Sequence, residues 1–439
     1  MRVRDYFMGK RIAVIGLGPE GEMLADIRFM VKANALVSVY DLKTEARLGD
    51  TMMELRSLGL ANCICGSVPP DDLLDMDLIV LSHEYPRSSS FLTDARKKGI
   101  EIEYPETLFL KLTPPVTVIG IMGACGKSTV LSMLAPMLDT ATESEAEQAS
   151  FAVDLESGDG ILPNLKRMKS GDIIAMRIPD RMVPEIHALK WSPQVAIYTT
   201  VPVPNSYKET PFEILQYQTY NNYVIGSDHV IDTIRIANPQ VKAKMLRTKG
   251  SSVPEDWLAP GRNIFDREDA ALALQAARLF HISDESAQNI LSRWKPLRGR
   301  LEPIKKVRNV EFFNDTASVS PHATIAGMAA LSSNRNLVMI IGGADKGADY
   351  RELYPALAQY AHTLVVLPGS GTMRERHAIH KLENIAVHSA PSVEEAVRLA
   401  FDNARKGDRV LFSPGFEAGG MDGSRIERGG RFVRAVRSL

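Results

Sequence analysis

Residues 116–129 constrain the fold of this chain more than any other stretch. An apolar run, Val116-Thr-Val-Ile-Gly120, leads through Gly123 and Gly126 into Lys127-Ser128-Thr129. Such a run reads as a buried strand, the glycines as a tight turn, and the residues from Lys127 onward as the start of a helix. Backbone N–H groups of a turn like this cradle phosphate oxygens, a lysine reaches the β and γ oxygens, and a serine ligates Mg²⁺. The usual loop carries a glycine four residues further back, where this chain has Ile121, so the form here is a shortened variant. Gly123, Gly126, Lys127, Ser128 and Thr129 are therefore read as an ATP-phosphate site, with Ser128 on the metal. The alternative is an inert turn with a solvated lysine.

The same device occurs earlier. Gly16-Leu-Gly18-Pro-Glu-Gly21 follows the apolar run Arg11–Ile15 and opens a helical pattern over Glu20–Ala33. Asp41 ends the next strand, Leu36–Tyr40, and could accept ribose hydroxyls. Gly16, Gly18, Gly21 and Asp41 are read as a nucleotide or sugar-nucleotide subsite, with a purely structural turn as the alternative. Taken alone the motif would suggest NAD and an oxidoreductase; the downstream phosphate loop argues against that.

Further strands are expected at Leu78–Leu81, Asp172–Met176, Val195–Thr199, Val310–Phe313, Leu337–Ile341, Thr363–Leu367 and Arg409–Ser413, with helices at Ser90–Lys98 and Ala270–Phe280. Alternation of this kind gives parallel sheets covered on both faces. Thr113-Pro114-Pro115 and Trp294–Arg300 read as hinges, and the acidic stretch Thr140–Ser150 as a solvated helix or loop. Lys+Arg (52) balance Asp+Glu (53), so no basic field draws the chain to nucleic acid or membrane. With no stretch of 18 apolar residues and no signal-peptide pattern at the N-terminus, a soluble cytoplasmic protein is expected. Cys63, Cys65 and Cys125 make no disulfide framework. The close pair could hold a soft metal, but with no His or Cys cluster nearby in sequence they are read as core thiols.

Two glycine loops in this order, followed by a third α/β segment, resemble the Mur ligase family over nearly the whole chain. Arg11–Asp41 is similar to the family's UDP-binding opening, and Leu78–Ser82, Gly99–Ile102 and Glu106–Phe109 to its course toward the phosphate loop. Gly299-Arg300-Leu-Glu302, Asn314-Asp315, Ile341-Gly-Gly-Ala-Asp-Lys346, Phe412-Ser413-Pro-Gly415 and Glu427-Arg428-Gly429 resemble its C-terminal motifs. The resemblance implies three doubly wound α/β domains. These are a Rossmann-like UDP-substrate domain at 1–114, a P-loop ATPase-type central domain at 115–298, and a Rossmann-like amino-acid-binding domain at 299–439. It further implies an ATP- and Mg²⁺-dependent amide ligase of peptidoglycan precursor synthesis. Such an enzyme joins D-glutamate or another amino acid to UDP-N-acetylmuramoyl-L-alanine through an acyl phosphate, and a monomer is expected. Arg300 would meet the phosphates, Asp315 the ATP ribose, and Lys346 the incoming carboxylate as a catalytic cation, with Ser413 among the substrate contacts.

The central domain departs from the pattern. Where the resemblance places a metal-ligating glutamate, a histidine and a carbamylated lysine, this chain has Arg177, Pro204 and Asn221, with Asp180 and Glu185 as the nearest carboxylates. Ala317, Val319, Ala418 and Asp422 replace acceptor-site residues, and Ala124-Cys125 the loop's usual Thr-Asn. An arginine cannot ligate metal. A second expectation is therefore a nucleotide-binding paralogue that has lost catalysis and serves regulation or scaffolding.

Overall fold

Buried apolar runs set the architecture. The computed structural model describes residues 3–439 apart from 19–21, 69–72, 83–84, 86–89, 124–125, 143–148, 154–159, 180–181, 202–211, 260–263, 333, 346 and 419–423. Three sheets form. The first has β1 (Arg11–Ile15), β2 (Leu36–Asp41), β3 (Asn62–Cys65), β4 (Leu78–Leu81) and β5 (Glu101–Glu103), all parallel, in the order β3-β2-β1-β4-β5. The second has β6 (Thr117–Met122), β7 (Ser150–Val153), β8 (Ile173–Arg177), β9 (Val195–Tyr198), β10 (Tyr223–Ser227) and β11 (Lys244–Thr248), in the order β11-β10-β9-β6-β8-β7. The third has β12 (Glu302–Val307), β13 (Val310–Asn314), β14 (Leu337–Ile341), β15 (Ala361–Val366), β16 (Ala386–Ser389) and β17 (Arg409–Phe412), in the order β12-β13-β17-β14-β15-β16. There only β12 runs antiparallel, to β13.

In each sheet the strand that precedes a glycine loop has neighbours reached by crossovers in opposite directions: β1 between β2 and β4, β6 between β9 and β8, β14 between β17 and β15. At such a switch point the loops at the strand ends part and leave a crevice. The strands expected from sequence form with small shifts. The run starting at Val116 begins one residue later and continues to Met122, because Ile121 pairs with Arg177 and Met122 with Tyr198. The helix after the first glycine loop spans Leu24–Lys32, so only the later part of the expected Glu20–Ala33 is helical, and Glu20 lies outside the described residues. The acidic stretch is partly helix, to Thr142, and partly strand, from Ser150; 143–148 lie outside the described residues.

The chain packs as two compact units. One comprises Met1–Gly123, Leu134–Arg247 and Leu272–Asp284; the other comprises Ala124–Met133, Thr248–Ala271 and Glu285–Leu439. Within the first, Asp26 on the helix Leu24–Lys32 is only 3% exposed and accepts a 2.8 Å hydrogen bond from the Leu162 amide. Gly160 comes so near that a Cβ there would lie 2.8 Å from the carboxylate. Burial pushes the Asp26 carboxyl up to about 7, the Leu162 bond opposes this, and Glu106 adds to it.

Asp26 thus holds its proton to a higher pH folded than unfolded. Between those two values the folded state binds more protons, so stability falls as pH rises through the window. Asp26 is expected to contribute a loss of roughly 2 kcal/mol between about pH 5.5 and 7.5. Asp26→Asn keeps an oxygen for Leu162 and removes the titration. Urea unfolding of both proteins across this range checks it, and identical slopes would refute the assignment.

Candidate active site

The turn after β6 requires glycine for angle and for space. Gly123 and Gly126 have φ of +118° and +83°, where side chains are strained. A Cβ on Gly123 would lie 2.4 Å from Thr199 Oγ1, and one on Gly126 would lie 2.6 Å from an Asp269 carboxylate oxygen. Lys127 opens the helix Lys127–Thr142, so the first-turn amides and the positive end of the helix dipole lie at the loop. Ser132, one turn on, takes a 3.0 Å bond from the Trp294 indole and donates at 2.8 Å to the Thr129 carbonyl, fixing this first turn.

Within the second unit a cation reaches the loop. Arg300 donates from Nη2 to Ser128 Oγ at 3.1 Å, and Ser128 is 5% exposed. Asp269, on the helix Ile264–Leu279, accepts from the Thr129 hydroxyl. Burial holds its carboxyl well above the usual range, Asp266 and Glu268 push the same way, and Arg300 opposes them. Lys127, Ser128, Thr129 and Arg300 are thus assembled by residues some 170 positions apart in the chain. A cleft of about 670 Å³ opens beside Arg300, with Asp266, Leu301, Ile304, Phe313 and Leu331 among its walls. Asp269 is a residue that motif reading missed, since nothing in its local sequence marks it.

Arg300 is held by a braced turn. Gly299 donates its amide to Glu302 Oε2 at 2.9 Å, Asn314 Nδ2 donates to the same oxygen at 2.9 Å, and Ala317 donates to the Gly299 carbonyl at 2.9 Å. Leu301 takes φ +44°, a strained value for a leucine, and its amide donates to Asp315 Oδ1 at 3.1 Å. The second Asp315 oxygen accepts from Ser413 Oγ at 2.7 Å, and Thr324 Oγ1 lies 3.0 Å from the same hydroxyl. Burial raises Asp315 to about 6, against these hydrogen bonds. Asp315 is therefore the anchor of the Arg300 turn. Ser413, expected at the substrate, is fully buried beneath that anchor and presents no surface to a ligand. The family resemblance implied contact; its side chain points into the network instead.

After β14, Gly342 and Gly343 take φ of +138° and +146°. A Cβ on Gly343 would lie 2.2 Å from the Glu417 carbonyl, and one on Gly369 would lie 2.0 Å from the Gly343 carbonyl, so two backbones meet here with no room for side chains. Arg428, fully buried, donates to the carbonyls of Gly342, Glu417 and Phe416 at 3.3, 3.2 and 3.3 Å. Its guanidinium ties the glycine loop to the segment after β17. Lys346, expected just beyond, lies outside the described residues, as do Gly21, Pro204, Asp180 and Asp422.

The first glycine loop is built on Asp41. Gly16 and Gly18 take φ of +80° and +79°. The buried Asp41 carboxylate accepts the Leu17 amide at 2.8 Å and the Lys43 amide at 2.7 Å, while Lys43 Nζ donates to the Gly18 carbonyl at 2.8 Å. Asp41 thus shapes the loop, and a ribose would share an acid already engaged by two amides. Ser82, after β4, was not singled out from sequence. It is 3% exposed, its hydroxyl makes no hydrogen bond among the described residues, and a Cβ on Gly16 would lie 2.2 Å from it.

Arg177 ends β8 and is buried, where the family resemblance places a glutamate. Asn221 lies in an exposed turn before β10, and Glu185 on the helix Val183–Ala188. Among the described residues no three His, Cys, Asp or Glu side chains converge as a metal cage. Mg²⁺ needs none, since it is commonly held by one or two protein oxygens, water and the nucleotide's phosphates. The buried Ser128 hydroxyl at the helix start fits that demand.

Residues 299–416 match the model of the Mur ligase glutamate ligase domain. Over 98% of its length the chain is 26% identical to the UDP-N-acetylmuramoylalanine–D-glutamate ligase of Desulfosudis oleivorans, covering 96% of that protein. It is 25% identical to the protein of the same name from Clostridioides difficile, covering 98% of this chain and 99% of that one. In fold it is similar to the UDP-N-acetylmuramate-alanine ligase MurC of Thermotoga maritima, with TM-score 0.59, 15% identity and coverage of 98% and 99%. It is likewise similar to MurF ligase of the same organism, solved with ADP, with TM-score 0.55, 17% identity and coverage of 92% and 95%. Fold and loops define an α/β protein built on three mainly parallel sheets, similar in its C-terminal part to the Mur ligase glutamate ligase domain. The two near-full-length relatives named above are both D-glutamate ligases.

Proposed function

We propose that the chain is an ATP-dependent ligase that joins D-glutamate, or another amino acid, to UDP-N-acetylmuramoyl-L-alanine. The observation that carries the reading is Arg300 on Ser128 beside Lys127, two cations and a helix start on one phosphate loop. The free carboxylate of the substrate's alanyl residue attacks the γ-phosphorus and ADP leaves. The amine then attacks the acyl carbon and phosphate leaves. Lys127 and Arg300 neutralise charge that grows on the phosphoryl oxygens, and preorganised cations of this kind are worth several kcal/mol. Mg²⁺ at Ser128 would supply further charge neutralisation. Asp315 acts through the turn that aims Arg300, and Lys346 meets the incoming carboxylate.

Gly16, Gly18 and Gly21 bind the UDP diphosphate, with Asp41 and Ser82 beneath the Gly16–Gly18 turn. Domains at 1–114, 115–298 and 299–439 each centre on one sheet. No helix among the described residues is long and apolar enough to cross a membrane; on this reading the chain works on small molecules in the cytoplasm as a monomer. The rival reading, a paralogue without catalysis, rests on Arg177; near-full-length kinship with named ligases weighs against it.

The test supplies ATP, Mg²⁺ and UDP-N-acetylmuramoyl-L-alanine with a panel of amino acids, and follows phosphate release and the amide product by mass. Amide formed in step with phosphate is the expected result. ATP bound without amide for any amino acid would overturn ligation and leave the paralogue.

A further inference from the structure

The edge strand β3 carries Cys63 and Cys65, two residues apart, so both thiols stand on one face and Ile64 on the other. The helix Asp50–Ser57 brings Met52 onto them: Cys65 Sγ lies 3.5 Å from Met52 Sδ, and the two thiols hydrogen-bond one another. Met52 is 5% exposed, while both cysteines are partly exposed and reachable from solvent. We propose that Cys63, Cys65 and Met52 form a three-sulfur binding site for a soft monovalent cation of the copper(I) or silver(I) type.

Other roles for these thiols fit poorly. Burial pushes both up, Cys65 to about 11, so neither is the thiolate that a nucleophile or redox sensor needs. In an extended strand, residues two apart have Cα atoms about 6.6 Å from each other, near the upper limit for a disulfide. A soft ion suits the site because it displaces thiol protons through strong bonds to sulfur. The thioether sharpens the choice, since hard and borderline ions take it poorly as a ligand. Glu45 and Asp41 lie near enough to act on both thiols, while Arg56, paired with Glu45 at 2.7 Å, offsets part of their field at Cys63. The local charge therefore favours a cation. On entry the ion takes two thiolates and one thioether, two protons leave to solvent, and no oxidation state changes.

The test uses the full chain with Cys125→Ala, so that only this pair of thiols remains, titrated without oxygen from a copper(I)–bicinchoninate complex. One ion per chain with release of two protons is expected. Cys63→Ser with Cys65→Ser should abolish uptake, and Met52→Leu should weaken it on the order of tenfold. Uptake no greater than in the double variant would overturn the site, and unchanged affinity in Met52→Leu would overturn the third ligand. A readout free of folding effects is the alkylation of the unsubstituted thiols, mapped by mass spectrometry. Silver(I) should protect Cys63 and Cys65 together, and protection of neither would refute the proposal.

Discussion

Lys127→Ala is expected to lower the affinity for ATP by roughly 10²–10³-fold, read by calorimetry, while the unfolding midpoint stays near that of the parent. Truncating one partner of a hydrogen-bonded charge pair in a bound complex costs about 2–5 kcal/mol, which spans that range. Lys127 opens its helix directly after Gly126, so its ammonium is the cation nearest the loop along the chain. Arg300 is engaged on Ser128 and held by its own braced turn, so it is poorly placed to substitute. Folding should survive because Lys127 is partly exposed and alanine is a good helix former. Unaltered ATP affinity would remove the phosphate-loop assignment, and the proposed ligation with it.

Arg428→Met is expected to destabilise the protein by roughly 3–5 kcal/mol, measured as a fall in the urea midpoint. The guanidinium is fully buried and donates to three carbonyls. A methionine fills much of the volume but leaves the Gly342 and Phe416 carbonyls without the donor Arg428 supplied, while Glu417 keeps the Ala344 amide, and each buried unsatisfied group costs about 1–3 kcal/mol. The same change should loosen the Gly342–Gly343 loop, which Arg428 ties to Phe416 and Glu417. Amide hydrogen exchange at Gly343 and Ala344 should therefore accelerate more than exchange in β14. A midpoint within error of the parent would show that water satisfies these carbonyls and that the site is not closed.

Most of the strands that sequence reading found are buried along their length, with β13, where buried and partly buried residues alternate, the exception. β1, β4, β14 and β17 are short apolar runs, and their sequence differs visibly from turns. Several of the strands it missed are edges, and β10, inside the second sheet, was missed as well. β3, β12 and β16 mix partly buried and exposed residues and contain Asn, Lys or His, so their hydrophobic signal is weak. Their pairing is dictated by a neighbour's backbone rather than by their own composition.

The glycine loops were legible for a local reason. Positive φ and the close approach of backbone to phosphate both exclude a Cβ, and the exclusion is written into each position. Lys127 and Ser128 follow from the loop by spacing alone. What Asp315, Ser413, Asp269 and Arg428 do depends on partners distant in the chain. Asp315 serves Leu301 and Ser413, Asp269 serves Thr129, and Arg428 serves Gly342. A carboxylate at a strand end looks the same in sequence whether it faces a ligand or a buried hydroxyl. Desolvation and hydrogen-bond geometry decide between those states, and both exist only once the chain has closed on itself.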